Sequence, residues 1–212
     1  MIPVTGGTAS LGERQLDALR EVGNIGAGTA ATALAQMTGA SVPMQVPRVS
    51  VLPVELIADE AGGGDALAAA VFLGVHGDAP GHMLFLMRAD AAREIVGALL
   101  CGMAEPAEDG AAFGEMELSA LQELGNILTG SYLGAMAQLT GLRLEPSPPV
   151  VGVDLADALV GSALAEVAAV SETALLIETA FGGGGVAPVG QFLYIPTPEA
   201  LATVLDRLGL GG

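Results

Sequence analysis

Two short polar patterns stand out in a chain that is otherwise rich in apolar residues. Glu21 and Asn24 form an E-x-x-N pattern, and the same pattern returns 102 residues later as Glu123 and Asn126. A carboxylate only accepts hydrogen bonds, whereas a neutral amide both accepts and donates them, so such an amide can hold a water and an anionic oxygen together. Either pattern alone could be the solvated side of an amphipathic helix. The identical recurrence, while neighbouring exposed positions differ, favours a functional site.

Each pattern lies in a segment that we predict to be a long helix. Residues 16–39 read LDALREVGNIGAGTAATALAQMTG and residues 118–141 read LSALQELGNILTGSYLGAMAQLTG, with 11 of 21 positions identical from Leu19 and Leu121 onward. Apolar residues recur at spacings of three and four, and a Thr-Gly pair ends each copy, as is typical of a helix and its C-terminal cap. A repeat this strong indicates two copies of one structural unit.

The polar residues of each predicted helix fall on one narrow line. At about 100° per residue, Asp17, Glu21 and Asn24 lie within roughly 60° of one another, and Gly28 follows on the same side. The second copy carries the line Ser119, Glu123, Asn126 and Gly130. We refer to these two sets of residues as the first and second polar lines.

Glycines interrupt both predicted helices, although glycine inside a helix costs about 1 kcal/mol relative to alanine. We expect Gly28 and Gly130, on the polar lines, to let the backbone of a partner approach. Gly23 and Gly26 point to the opposite side, so we expect them to allow close packing on another helix, such as the second copy.

The two polar lines match the signature [DS]-x3-E-x2-N-x22-P of the CheC family of response-regulator phosphatases. The matching residues are Asp17, Glu21, Asn24 and Pro47 in the first copy and Ser119, Glu123, Asn126 and Pro149 in the second. Both matches are complete, including the long spacer, and the chain resembles the family over essentially its whole length.

The resemblance implies a chemotaxis enzyme that hydrolyses the aspartyl phosphate of a CheY-type response regulator. Asn24 and Asn126 would position the attacking water, because an amide carries no charge that repels the phosphate. Glu21 and Glu123 would dock the regulator, as the family's Glu pairs with the regulator's active-site lysine. The Mg²⁺ would belong to the regulator, so we expect this chain to bind no cofactor of its own.

The remaining signature residues are expected to support the site. We interpret Asp17 and Ser119 as helix-start or supporting polar groups. Pro47 and Pro149 would be structural and would shape the strand that follows each helix.

The two copies differ near their polar lines. Three small residues of the first copy are replaced by bulkier ones in the second: Gly26, Ala27 and Ala30 correspond to Leu128, Thr129 and Tyr132. If the bulkier groups face the partner, the second site would dock the regulator less well. The sequence leaves open whether both sites are active.

The family resemblance also implies a second partner, the receptor-modifying deamidase CheD. Its docking surface would be the helix after the second signature, at residues 154–164, and especially Asp154, Asp157 and Leu159. The competing interpretation of the whole chain is a non-catalytic adaptor or a flagellar-switch component that binds the phosphorylated regulator without hydrolysing it. The intact Glu and Asn in both copies favour the enzyme.

Composition excludes several other classes of function. The net charge is −17 and all seven basic residues are Arg, which argues against binding to nucleic acid or to anionic membranes. No apolar run approaches the roughly 18–20 residues of a membrane span, and the first residues do not resemble a signal peptide. We therefore expect a cytoplasmic, monomeric protein.

The pattern of elements predicts an α/β (α+β) fold with pseudo-two-fold symmetry, in which two long helices pack on antiparallel strands. Residues 1–12 would be a flexible lead, with Ser10 and Glu13 as a capping box, and residues 13–212 one domain of two repeats, about 13–104 and 115–212. Strands are predicted within 41–57, at 68–75, 82–87, 149–153, 170–179 and 191–195. Further helices are predicted from Arg88-Ala89-Asp90 to about 100, from Asp154, and at 198–208, and the glycine run at 182–185 would be a hairpin loop.

Overall fold

The computed structural model describes residues 12–39, 41, 44–46, 48–57, 64–100, 113–167, 173–181 and 190–210. Within these residues the chain forms five α-helices and one antiparallel sheet of eight strands. The predicted mixed class with antiparallel strands is therefore confirmed. Ser10, Pro47 and the glycine run at 182–185 lie outside the described residues.

The helices and strands follow one another along the chain in two similar series. The helices are α1 (Glu13–Thr38), α2 (Ala89–Leu99), α3 (Glu115–Thr140), α4 (Ala156–Val167) and α5 (Pro198–Arg207). The strands are β1 (Met44–Gln45), β2 (Val49–Pro53), β3 (Leu67–Gly77), β4 (Gly81–Arg88), β5 (Leu144–Pro146), β6 (Val150–Leu155), β7 (Thr173–Phe181) and β8 (Gly190–Pro196). A 3₁₀ turn, Val54–Leu56, follows β2 where the second series has α4. The predicted long helices are confirmed, and the second has the predicted bounds.

The sheet joins the two halves of the chain reciprocally. Its centre is the pair β4–β8, in which Phe85 lies opposite Phe192, and β3 and β7 flank this pair. Strands β1 and β2 of the first half pair with β7 of the second, while β5 and β6 of the second half pair with β3 of the first. Each long helix is thus followed by strands that extend the other half's hairpin.

The sheet is covered on both sides, so its strands carry long apolar runs. Helices α1, α2, α3 and α5 pack on one face with β-strand residues such as Val71 and Phe192. Helix α4 and the residues of the 3₁₀ turn pack on the other face, with Leu84 and Leu193. The two polar lines and α4 therefore belong to opposite sides of the sheet.

The helix glycines on the buried side explain how closely the long helices approach their neighbours. A Cβ on Gly26 would lie 2.6 Å from the ring of Tyr132, so α1 packs on α3 as predicted. Gly23 instead packs against Val46, which follows β1, and against Ile177 of β7, so the helix-contact prediction for it was wrong. The corresponding Gly125 lies against Val71 of β3, where a Cβ would come within 2.4 Å.

The two long helices begin and end in the same way. The N–H of Gly12 donates to Gln15 Oε1 at 2.8 Å, and that of Gly114 donates to Glu117 Oε2 at 2.8 Å. Glu13 is the first helical residue and Gly12 is the N-cap, so Glu13 does not have the predicted capping-box role. The predicted glycine caps at the C-terminal ends are confirmed, since Gly39 and Gly141 have φ of 68° and 72°.

The largest difference from the predicted elements is at the start of α4. The predicted helix from Asp154 was wrong: β6 continues to Leu155, because Asp154 is paired with Ala68 and Leu155 with Leu67 of β3. The ladder with β3 prevails over the capping preference of an aspartate. The short strand β5 was not predicted, because its pairing with β3 is what makes these residues a strand.

Candidate functional site

The four proposed catalytic side chains lie on the exposed surfaces of the two long helices. Glu21 and Asn24 are exposed on α1, and Glu123 and Asn126 are exposed on α3. Buried residues of the same helices, such as Leu19, fill the core beneath them. The amphipathic helix thus presents each Glu–Asn pair, three residues apart, to solvent.

The second pair is joined by a hydrogen bond within the helix. Asn126 Nδ2 donates to Glu123 Oε2 at 3.4 Å. This bond uses the amide as a donor and leaves the carbonyl Oδ1 available to accept from a water. The arrangement can therefore orient a water without a charged group at the point of contact.

The first polar line carries an ion pair that has no counterpart in the second. Arg20 Nη1 donates to Asp17 Oδ1 at 2.6 Å, and both side chains are largely exposed. At the matching position of the second copy, Gln122 Nε2 donates to the carbonyl of Pro149 at 3.4 Å. Sequence analysis did not single out Arg20, although comparison of the two copies at this position would have done so.

Asp17 and Ser119 do not cap their helices. Helix α1 begins at Glu13 and α3 at Glu115, so both residues lie in the second turn. The helix-start interpretation is therefore wrong, and Asp17 is paired with Arg20. The supporting role of Asp17 and Ser119 stays a prediction. Of the two signature prolines, Pro149 directly precedes β6, and Pro47 lies outside the described residues.

Gly28 and Gly130 lie on open helix surface. A Cβ at either position would meet nothing within 4 Å, in contrast to the buried glycines of the same helices. The fold itself therefore does not require glycine at these two positions. The expectation that a partner approaches at these two glycines stays a prediction.

The bulkier residues of the second copy are buried. Leu128, Thr129 and Tyr132 are 0%, 3% and 1% exposed, and the ring of Tyr132 stacks on Phe192 with centroids 4.3 Å apart. The condition under which the second site would dock less well is therefore not met. The size difference between the copies serves the packing of α1 on α3, where Tyr132 fills the space beside Gly26.

The three residues assigned to a CheD-type partner lie on the opposite side of the sheet. Asp154 is the last but one residue of β6 and Asp157 is the second residue of α4, and both are exposed. Leu159 is half-buried against Gly152, in the wall of a cavity of about 210 Å³. A partner here would leave both polar lines accessible.

Comparison with known proteins shows which family this chain matches. The model of the CheC-like family matches residues 15–51 and 116–153, which contain the two polar lines. A Bacillus subtilis protein named CheY-P phosphatase CheC is 43% identical over 169 residues, or 79% of each chain. The chain belongs to the CheC-like family. The Glu–Asn pairs of this CheC-like protein therefore lie in the segments that the family model matches.

Solved structures share the fold at low sequence identity. The crystal structure of Thermotoga maritima FliY has a TM-score of 0.73 at 20% identity and covers 95% of this chain and 99% of that one. A chain from the crystal structure of the CheX–CheY–BeF3–Mg²⁺ complex from Borrelia burgdorferi has a TM-score of 0.50 at 16% identity, with coverage of 81% and 96%. At these identities the likeness concerns the fold alone. In the described part of the chain, no helix is both long and apolar enough to cross a membrane.

Proposed function

We propose that this CheC-like protein is a phosphatase that hydrolyses the aspartyl phosphate of a CheY-type response regulator. The observation that carries the proposal is the exposed Glu–Asn pair, present twice in a chain that is 43% identical to CheY-P phosphatase CheC of Bacillus subtilis. The fold is also found in a solved structure of a CheX–CheY complex.

The chemistry requires little of the protein besides positioning. The water oxygen bonds to phosphorus while the bond from phosphorus to the aspartyl oxygen breaks, which leaves inorganic phosphate and a free carboxylate. Asn24 or Asn126 accepts a hydrogen bond from the water and holds it in line with the breaking bond. A neutral amide does not remove the proton, which passes to a phosphoryl oxygen or to solvent.

Glu21 and Glu123 are the proposed docking groups. Each carboxylate lies one turn before its asparagine, where it can pair with a cationic side chain of the regulator. In the second site Glu123 also accepts from Asn126, so docking and orientation of the amide are linked there. The Mg²⁺ that supports hydrolysis is proposed to be the regulator's own, with no cofactor bound by this chain.

The proposal includes further expectations about partners and location. A CheD-type deamidase would bind at Asp154, Asp157 and Leu159, which lie away from both polar lines. The protein would act as a monomer in the cytoplasm. These expectations rest on the resemblance to the family and on no contact within the chain.

The test is the decay of phosphorylated CheY of Bacillus subtilis in the presence of catalytic amounts of this protein. We expect wild type to accelerate the decay and Asn24→Ala with Asn126→Ala together to reduce the acceleration by about 10²-fold or more. Each single variant reports on one site. Gln36→Ala, which removes an exposed amide of α1 outside the polar line, serves as the matched control.

The same assay distinguishes an enzyme from a non-catalytic adaptor or flagellar-switch component. This alternative is considered because the chain shares its fold with FliY. An adaptor binds the phosphorylated regulator and leaves its decay unchanged or slower. Binding without acceleration would therefore overturn the phosphatase and establish the adaptor.

A further inference from the structure

The residues that flank the two polar lines differ in charge. Arg14 and Arg20 of α1 correspond, 102 residues later, to Met116 and Gln122 of α3. All four residues are exposed, and Met116 is 54% exposed although it is apolar. Two of the seven basic residues of a chain with net charge −17 thus border the first site, while the second has none at these positions.

Both arginines can reach the surface that a partner of the first site would cover. At about 100° and 1.5 Å per residue, Arg14 lies roughly 20° from Glu21 and about 10 Å before it. Arg20 lies roughly 40° from Asn24, on the side away from Glu21, and about 6 Å before it. The first site therefore presents a carboxylate, an amide and two guanidinium groups along one side of the helix.

The stability of the helix does not explain these arginines. Arg14 lies in the first turn of α1, where a positive charge opposes the helix dipole at a cost of about 0.3–1 kcal/mol. Arg14 forms no ion pair with any residue of the described ranges. Arg20 is paired with Asp17, but both side chains are exposed, at 45% and 71%, and such pairs contribute about 0–1 kcal/mol. Arg20 can therefore exchange Asp17 for an anion of a partner at little cost.

We propose that Arg14 and Arg20 add electrostatic attraction for the phosphorylated regulator at the first site, and that the second site, which shares only the Glu docking group, lacks this added attraction. The phosphoryl group itself carries about −1.5 to −2 charges in the cleft that each site must meet. Guanidinium groups pair with phosphoryl and carboxylate oxygens, whereas Met116 and Gln122 offer apolar and neutral contacts. This inference rests on the proposed function.

Salt distinguishes the two modes of docking. Attraction between exposed charges is screened beyond about 8 Å at physiological ionic strength, and charges at the edge of an interface mainly change the association rate and its salt dependence. We expect kcat/KM of the first site to fall about tenfold between roughly 0.05 M and 0.5 M NaCl, and that of the second site by less than about twofold. The kcat of either site should change little.

The experiment isolates each site with one substitution. Asn126→Ala leaves only the first site active, and Asn24→Ala leaves only the second. Arg14→Met with Arg20→Gln is then added to the Asn126→Ala protein. Met116→Arg with Gln122→Arg is added to the Asn24→Ala protein. Each active site thus receives the flanking residues of the other. Phosphorylated CheY of Bacillus subtilis is the substrate, and thermal unfolding checks that each variant is folded.

The exchange should transfer the salt dependence from the first site to the second. Equal salt slopes in the two single-site proteins, or slopes that do not follow the arginines, would overturn the inference while the phosphatase stands. If wild type does not accelerate decay, the phosphatase fails instead. The salt dependence of Kd for the phosphorylated regulator then decides the inference, because it should be lost in Arg14→Met with Arg20→Gln and retained in Met116→Arg with Gln122→Arg.

Discussion

At the scale of single residues, the two copies show which substitutions the fold tolerates and which the site requires. Asn24 and Asn126 are exposed amides in equivalent positions, but their neighbours differ: Asn126 donates to Glu123, whereas Asn24 lies one turn after the Asp17–Arg20 pair. A neutral, oriented amide suits a reaction that needs a positioned water rather than a base. We propose that the residues around it set how a partner is held.

Gly28 and Gly130 give a prediction in which stability and activity move in opposite directions. Alanine at both positions should raise the free energy of unfolding by roughly 0.5–1 kcal/mol each, because helical glycine is unfavourable and a Cβ there meets nothing within 4 Å. Phosphatase activity should fall, because the added methyl groups obstruct the partner. Urea denaturation and the decay assay measure the two effects.

The matched control is Gly161→Ala. Gly161 is exposed in α4, on the other face of the sheet, and a Cβ there also meets nothing within 4 Å. This variant should be more stable and fully active. Full activity in the Gly28→Ala, Gly130→Ala protein would show that no partner backbone comes close to these glycines.

His82 gives a prediction about pH and stability. Its ring stacks on Phe72 with centroids 5.4 Å apart, and burial lowers its pKa from the ordinary 6.5, while Glu166 partly opposes the shift and His76 adds to it. The unfolded chain therefore binds a proton more readily than the folded one, so stability should fall as pH decreases below about 7 through the ordinary pKa of histidine. Urea midpoints between about pH 5 and pH 8 measure this loss.

Two substitutions test the origin of the effect. His82→Gln should reduce the pH dependence, because the titrating group is gone. Glu166→Gln should increase the loss at low pH, because it removes the charge that favours protonated His82. An unchanged pH profile in His82→Gln would assign the titration to another group.

At the scale of elements, the long helices depend on glycine for their contacts with the sheet and with each other. Gly26 lies against Tyr132 and Gly125 lies against Val71, and no side chain fits in either contact without a shift. The two contacts differ in which atoms could move to make room for a side chain. Tyr132 is stacked on Phe192 and approaches Gly26 with its backbone as well, whereas Val71 approaches Gly125 with its side chain.

A double-mutant cycle tests the contact between α3 and β3. Gly125→Ala should destabilise the protein by about 1–3 kcal/mol, because its Cβ would lie 2.4 Å from Val71. Val71→Ala should also destabilise, because it leaves a cavity. The double variant should be more stable than the sum of the two effects predicts, because each change relieves the other.

The coupling energy is the decisive quantity in this cycle. Chemical denaturation of the four proteins measures it. We expect the double variant to be more stable by at least about 0.5 kcal/mol than the sum of the two single effects predicts. Strict additivity would mean that the helix shifts away from β3 as a rigid unit. Gly161→Ala combined with Val71→Ala is the additive control, because Gly161 lies on the other face of the sheet.

At the scale of the whole molecule, the sheet links the two halves in both directions. Strand β2 lies on β7 and β6 lies on β3, so each half completes the sheet of the other. The register pairs Val51 with Leu175 and Val153 with Ala69, at equivalent places in the two ladders. One domain over residues 13–212 stays a prediction, and the next experiment tests it.

The reciprocal pairing predicts one cooperative unfolding transition. Calorimetry should give a ratio of calorimetric to van't Hoff enthalpy near one, because neither half has a complete sheet alone. Gly125→Ala should move the whole transition to lower temperature without splitting it. Two separate transitions, or cooperative folding of the isolated segments 13–104 and 115–212, would contradict a single domain.

Local patterns in the sequence were sufficient to predict the long helices and the two central hairpins. Helical periodicity, a terminal Gly at 39 and 141, and alternating apolar runs act over a few residues, so no distant contact is needed to recognise them. The exposed positions of Glu21, Asn24, Glu123 and Asn126 followed from the same periodicity. The resemblance of the chain to the CheC family followed from the spacing of the signature residues.

Only the tertiary structure decided which segments meet across the chain. Strand β6 runs through Asp154 because β3 pairs with it. The bulky Tyr132 is buried because Gly26 of the other helix leaves space for it. These contacts depend on which distant strands and helices come together. A local pattern of three or four residues therefore does not identify a contact with a segment roughly a hundred residues away.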